Sequence, residues 1–168
     1  GDRRIDGSAI ATGLTSVRWP ARLQRLTAGP LARLAHASGS DLWLDGGHNP
    51  HAARALGVHL QSLRDRDGRP ATVIMGLLAN KDAAGILAPF AEQNVRLIFT
   101  EFAAAAAASS RDLASVAAGL GLQAETAPDV MRAMRLATEN GTSSHILICG
   151  SLYLAGEALG LAPETWPS

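Results

Sequence analysis

Cysteine and lysine each occur once in the 168 residues, at Cys149 and Lys81, and neither sign of charge is in excess. One cysteine excludes a disulfide framework and a thiolate metal cluster. Its neighbours Ile146, Leu147 and Ile148 predict a buried structural thiol. Fifteen basic and fifteen acidic side chains cancel, so there is no basic surplus of the kind a sequence-independent nucleic-acid binder carries. No apolar run approaches a membrane span, and Gly1 to Leu14 lacks the apolar core of a signal peptide. These bounds predict a soluble, cytoplasmic, globular domain. Lys81 stands alone among arginines, which is either chance or a reason to keep an ammonium at one place.

Catalytic signatures are also missing. There is no G-x-x-x-x-G-K-[ST] loop, no G-x-G-x-x-G turn and no G-x-S-x-G elbow. His48, His51 and His59 lack the accompanying carboxylate and spacing of a zinc helix, and no metal site is assigned. A self-sufficient NTPase or hydrolase is disfavoured.

What is present is a regular alternation. Apolar runs at 42–44, 72–75, 95–100 and 146–149 read as buried strands, with a weaker one at 122–126. Residues 51–63, 81–92, 111–119, 128–138 and 152–159 have helical period. Asn49 before Pro50 is a cap followed by proline at the first helical position. Ser109 with Asp112 resembles a capping box, and Pro128 can open a helix. Residues 23–26 suit an added strand, joined to 42–44 through the Gly29-Pro30 turn and a second arm near 31–36. The alternation predicts an α/β, three-layer Rossmann-like domain: a mostly parallel sheet with an antiparallel edge strand or hairpin. Residues 1–18 read as a tail or linker.

In such folds ligands bind beyond the carboxyl ends of the strands. The loops at 45–49, 76–82, 100–102 and 150–151 should therefore gather on one rim. Asp45 can accept from a ribose diol, reach a metal through water, or cap the next helix. Gly46 and Gly47 allow backbone to approach a ligand. His48 can orient an anionic substrate or be a plain loop histidine, while His51 and His59 read as surface or packing residues. Lys81 near a helix start suits a phosphate or carboxylate, or is simply solvated. Ser151 opens a helix whose free N–H groups favour an anion, or is an ordinary N-cap. Arg22 in "WPAR" is either a two-pronged phosphate clamp or a surface arginine. No chemistry attaches to the six alanines at 103–108.

The stretches "WPARLQRL", "LWLDGGHNPHAARAL", "VIMGLLANKD" and "ILICGSLYLAGEAL" resemble, in order and spacing, the C-terminal domain of dihydrofolate synthase/folylpolyglutamate synthase, of the Mur-ligase superfamily. The resemblance covers roughly residues 14–160, and its W-P-x-R and D-G-x-H-N-P elements are specific in combination. It implies a linker remnant at 1–16 and a Mur-ligase-type C-terminal domain at 17–168. It also implies a partner N-terminal ATPase domain in the same protein, carrying a G-T-N-G-K-G-S phosphate loop and most of the Mg2+ ligands. By that likeness Arg22 and Asp45 contact ATP, the first at the phosphates and the second at the ribose. His48 and Ser151 serve L-glutamate, and Lys81 stands near the acyl phosphate, so Lys81 and His48 are the catalytic candidates. The implied reaction joins L-glutamate to dihydropteroate or folate, with no nucleic acid and no membrane involved. Many relatives carry a proline-arginine-alanine group where this chain reads "TEFAAAAAASS", which puts that arginine's contact in doubt. Two other readings stay open: another Mur-type amide ligase domain, and a non-catalytic nucleotide-binding or interaction module.

Overall fold

The protein is described by a computed structural model over residues 20–163. The expected linker at 1–16 and Trp19 of the W-P-x-R element lie outside the described residues.

Among the described residues, six strands and six helices follow in chain order. They are β1 (Gln24–Arg25), α1 (Gly29–Ala37), β2 (Asp41–Leu44), α2 (Pro50–Asp67), β3 (Ala71–Met75) and α3 (Ala83–Ala91). Then come β4 (Arg96–Thr100), α4 (Ser110–Gly119), β5 (Ala124–Ala127), α5 (Val130–Thr138), β6 (His145–Cys149) and α6 (Leu152–Gly160). The sheet order is β1-β2-β6-β3-β4-β5. Only β1 runs antiparallel, against β2; the remaining pairs are parallel.

The central strands are buried on both faces because helices cover both. Side chains alternate between the two sides, so each strand feeds two cores. On one side Leu42, Leu44, Ile74, Ile98, Ile146 and Ile148 pack under α1, α5 and α6. On the other, Val73, Met75, Leu97, Phe99, Leu147 and Cys149 pack under α2, α3 and α4. Helix α2 shows why its sequence is helical: Ala53, Leu56, Leu60 and Leu63 recur every three or four residues and all are buried. The Asn49 side chain accepts from Ala52 N–H at its start. Gly68, at φ 74°, ends it in the left-handed conformation with its N–H on the Arg64 carbonyl.

The expected mostly parallel sheet with an antiparallel edge is present, and Cys149 is buried. Three local expectations need correction. Residues 31–36 are not a hairpin arm but the middle of helix α1; Pro30 sits in its first turn, and Leu31, Ala32 and Ala35 form a buried helical stripe. Helix α2 runs to Asp67, because its last exposed turn stays helical without apolar residues until Gly68 breaks it. Pro128 precedes α5, whose cap is Asp129, accepting from Arg132 N–H.

Candidate active site at the carboxyl edge of the sheet

The carboxyl ends of β2, β3, β4 and β6 bring their following loops side by side, as the topology requires. Gly150 N–H donates to the Gly47 carbonyl (3.0 Å), and Gly76 N–H donates to Cys149 (3.2 Å). Gly150 has φ 104°, and a Cβ there would stand 2.6 Å from the Gly76 carbonyl oxygen, so both conformation and crowding require glycine. The 45–47, 76 and 150 loops are thereby locked through backbone.

Asp45 extends the β2 ladder by one residue, its N–H donating to Ile148 (2.9 Å). The residue is 7% exposed, and its carboxylate accepts two backbone N–H groups, from Leu23 at Oδ2 (2.8 Å) and from Gly47 at Oδ1 (2.6 Å). It does not cap α2, since Asn49 does that. Its negative charge, after burial itself, helps push the Cys149 thiol far above the ordinary cysteine range. Cys149 is therefore a thiol rather than a nucleophilic thiolate.

Arg22 is exposed and makes no ion pair among the described residues. It sits between two non-glycine residues with left-handed backbone, Ala21 at φ 54° and Leu23 at φ 43°. Three hydrogen bonds hold this turn: Ala21 N–H to Gln24 Oε1 (3.0 Å), Leu23 N–H to Asp45, and Gly46 N–H to the Ala21 carbonyl (2.8 Å).

His48 is half-buried, and its Nδ1 lies 2.9 Å from the Gly46 carbonyl. Only an N–H can make that contact, so Nδ1 carries hydrogen and Nε2 is the nitrogen left to meet a ligand. Lys81, also half-buried, engages no carboxylate among the described residues; the turn behind it closes by Lys81 N–H on Leu78 (3.1 Å). Ser151 is 2% exposed and caps α6, its Oγ accepting from Tyr153 N–H (3.1 Å). Its hydroxyl hydrogen remains to be donated. Among the described residues no hydrogen bond or ion pair links Arg22, His48, Lys81 and Ser151 to one another, so each can still meet a ligand.

Sequence reasoning missed two features of this rim. One is the left-handed turn around Arg22, which alanine and leucine do not announce. The other is the stacked pair of Phe102 and Tyr153, with centroids 6.3 Å apart, the tyrosine standing exposed beside Ser151. Among the described residues no group of three or more His, Cys, Asp or Glu side chains is placed to hold a metal ion.

A mostly parallel α/β sheet with helices on both faces and glycine loops at the carboxyl ends of its strands defines a domain of the open α/β class, in which that edge is the usual place for a ligand. Residues 33–161 match the family described as "Dihydrofolate synthetase, C-terminal domain", and the chain belongs to that family. It is 35% identical over 77 residues to the folylpolyglutamate synthase of Lacticaseibacillus casei, which is 46% of this chain and 15% of that protein. Among solved structures it resembles the Mycobacterium tuberculosis folylpolyglutamate synthase complexed with ADP and AMPPCP, at TM-score 0.73 and 28% identity, over 94% of this chain and 35% of that one. It also resembles the Yersinia pestis bifunctional folylpolyglutamate synthase/dihydrofolate synthase complexed with AMPPNP and Mn, at TM-score 0.70 and 27% identity, over 92% and 34%. The chain thus spans about a third of the length of these solved relatives.

Proposed function

We propose that residues 17–168 form the C-terminal domain of an ATP-dependent ligase that adds L-glutamate to dihydropteroate, folate or both. The observation carrying this is the pair Arg22 and Lys81, without an ion-pair partner among the described residues, in a fold shared with nucleotide-bound family members. An N-terminal domain of the same protein supplies the opposite wall and the phosphate loop, with residues 1–16 as the connection. The Mg2+ that accompanies ATP takes its ligands mainly from that domain; among the described residues no group of three or more His, Cys, Asp or Glu side chains is placed to hold it.

In this reading a substrate carboxylate oxygen attacks the γ-phosphorus of ATP and ADP leaves. The glutamate amine then attacks the acyl carbon, the amide forms, and phosphate departs with loss of the amine proton. Arg22 grips phosphate oxygens with two parallel N–H groups, and Asp45 stands on the nucleotide side. Lys81 neutralises charge building on the acyl phosphate. His48 Nε2 and the Ser151 hydroxyl orient the glutamate, which places its amine for attack. Catalysis rests on positioning and charge neutralisation as the two domains close.

The test compares two preparations. The 168-residue chain alone should fold yet release no ADP with ATP, glutamate and dihydropteroate or folate present. The full-length protein carrying it should release ADP only when glutamate and the pterin substrate are both supplied. Glutamate-dependent ADP release by the chain alone would refute the two-domain reading.

A further inference from the structure

We propose that Glu157 is a positioning residue: it pins the loop after β4 to helix α6 and so sets where the Lys81 loop stands relative to Ser151. The inference deepens the ligase reading and rests on it for its kinetic test alone. Ser151 caps α6, and Tyr153 and Glu157, four residues apart, share one face of that helix. This pair takes hold of two consecutive residues of the loop. Tyr153 stacks on Phe102, and Glu157 Oε1 accepts the Ala103 N–H. A carboxylate acceptor makes that bond stronger than a neutral one would be. The Phe102 ring also lies against the start of the Lys81 loop, since a Cβ on Gly76 would stand 3.0 Å from its Cδ1.

The same loop then reaches across to the segment that carries Lys81. Ala79 N–H donates to the Ala106 carbonyl and Ala108 N–H to the Leu77 carbonyl, both at 2.8 Å. Glu101 joins the two ends of the loop, its Oε1 accepting from the Ser110 N–H and hydroxyl, each at 3.2 Å. Beyond Lys81, Asp82 caps α3 through Gly85 N–H at 2.9 Å. The Lys81 loop is therefore held on one side by its own helix and on the other by a segment that Glu157 anchors. Residues 103–108 are all alanine and have no side-chain polar group, so the grip at the start of the run falls to Phe102 and Glu157. Ser151 and Lys81 sit on different loops and share no hydrogen bond among the described residues, so their spacing is only as firm as this relay. Groups that meet one substrate act on rate through such spacing, because the reacting atoms must be held in near-attack geometry.

The 168-residue chain and the full-length protein test this separately. Lys81 is the only lysine of the chain, so 15N-lysine labelling gives a single lysine amide signal. That N–H is bonded to the Leu78 carbonyl, and its hydrogen exchange reports opening of the turn. Exchange should quicken about tenfold in Glu157→Ala, the loss of one hydrogen bond to a charged group. Glu157→Asp keeps the charge but falls short of Ala103, and should behave as Glu157→Ala does. Glu157→Gln keeps the acceptor oxygen and should stay within about twofold of the unaltered chain. In the full-length protein Glu157→Ala should lower kcat about tenfold and change KM for ATP less than about threefold, with Glu157→Gln recovering most of the rate. Added to Lys81→Ala, Glu157→Ala should cost less than about a further twofold, because its route of action is gone. A Lys81 amide that exchanges no faster in a folded Glu157→Ala or Glu157→Asp chain overturns the proposal, and so do losses that multiply in the Lys81→Ala background. Absence of glutamate-dependent ligation in the unaltered full-length protein would instead sink the ligase reading, and amide exchange in the chain would still decide the role of Glu157.

Discussion

His48 and Asn49 are neighbours with unrelated duties, and that contrast shows how a single residue's work is read. Asn49 puts its oxygen on Ala52 N–H and closes the start of α2. His48 spends Nδ1 on the Gly46 carbonyl and keeps Nε2. Replacing Asn49 by Ala should cost about 1 kcal/mol of stability, the usual worth of a lost N-cap, and leave steady-state constants alone. Thermal melting beside kinetics checks this. Replacing His48 by Ala should do the reverse: little change in melting temperature, and glutamate use weakened by about 1.5–3 kcal/mol, the range for a hydrogen bond to a charged group. Equal damage to ATP and glutamate KM would remove the assignment of His48 to glutamate. Much of this was legible beforehand. A strand followed by D-G-G-H-N-P needs glycine to turn, Asn to cap and Pro to start the helix, which leaves Asp45 and His48 over. What could not be read was where the Asp45 oxygens go, because Leu23 lies 22 residues away and nothing local names it as a partner.

At the scale of elements, the alanine run at 103–108 changes meaning once folded. Ala79 N–H donates to the Ala106 carbonyl and Ala108 N–H to the Leu77 carbonyl, both at 2.8 Å, around an antiparallel bridge of Leu78 and Ala107. The run is a backbone brace for the loop that carries Lys81, and small side chains let the two segments lie close. Ala108→Pro deletes one donor from that brace. It should cost at least the ~0.5–1.5 kcal/mol of a net hydrogen bond and loosen the Lys81 loop. In the full-length protein kcat should fall more than KM for ATP. Hydrogen exchange at the Ala79 amide should quicken in step; an unchanged Ala79 amide would show that the brace does not hold the loop. Alanine composition spoke for a helix as much as for a loop, so this pairing was invisible in advance. Helix α1 was misread for a related reason: Leu31 to His36 is too short to separate a strand from a helix by period alone, and only packing of Leu31, Ala32 and Ala35 on the sheet decides it. The longer, strongly patterned elements presented no such ambiguity.

The whole molecule divides its polar groups between two ends of one sheet. Among the described residues, Arg22 and Lys81 at the carboxyl edge make no ion pair, whereas the amino edge carries a network of paired charges. There His145, fully buried at the start of β6, sets Nε2 2.9 Å from Asp67 Oδ1 at the end of α2. Arg69 bonds both Asp67 and Asp41, and Arg25 bonds Asp41 from the edge strand. This network ties β1, β2, β6 and α2 together, far along the strands from the rim loops. Hydrogen bonds from Arg69 and then His145 hold the Asp67 carboxyl well below its usual range. At Asp41 burial pushes upward, but the Arg69 and Arg25 guanidinium groups outweigh it and the net shift is also downward. A carboxylate whose pKa is lower folded than unfolded binds fewer protons in the native state. Its contribution is therefore complete above the ordinary carboxylate value of about 4, and is lost as pH falls below that toward the folded pKa. Asp67→Asn should lower the melting temperature at neutral pH, and the gap to the unaltered protein should close as melts are repeated from about pH 5 downward. Because the network lies at the other end of the strands, KM for ATP and for glutamate should stay where they were. A gap independent of pH would show that Asp67 contributes by shape and neutral hydrogen bonding. Altered substrate constants would show that the two ends of the sheet are coupled.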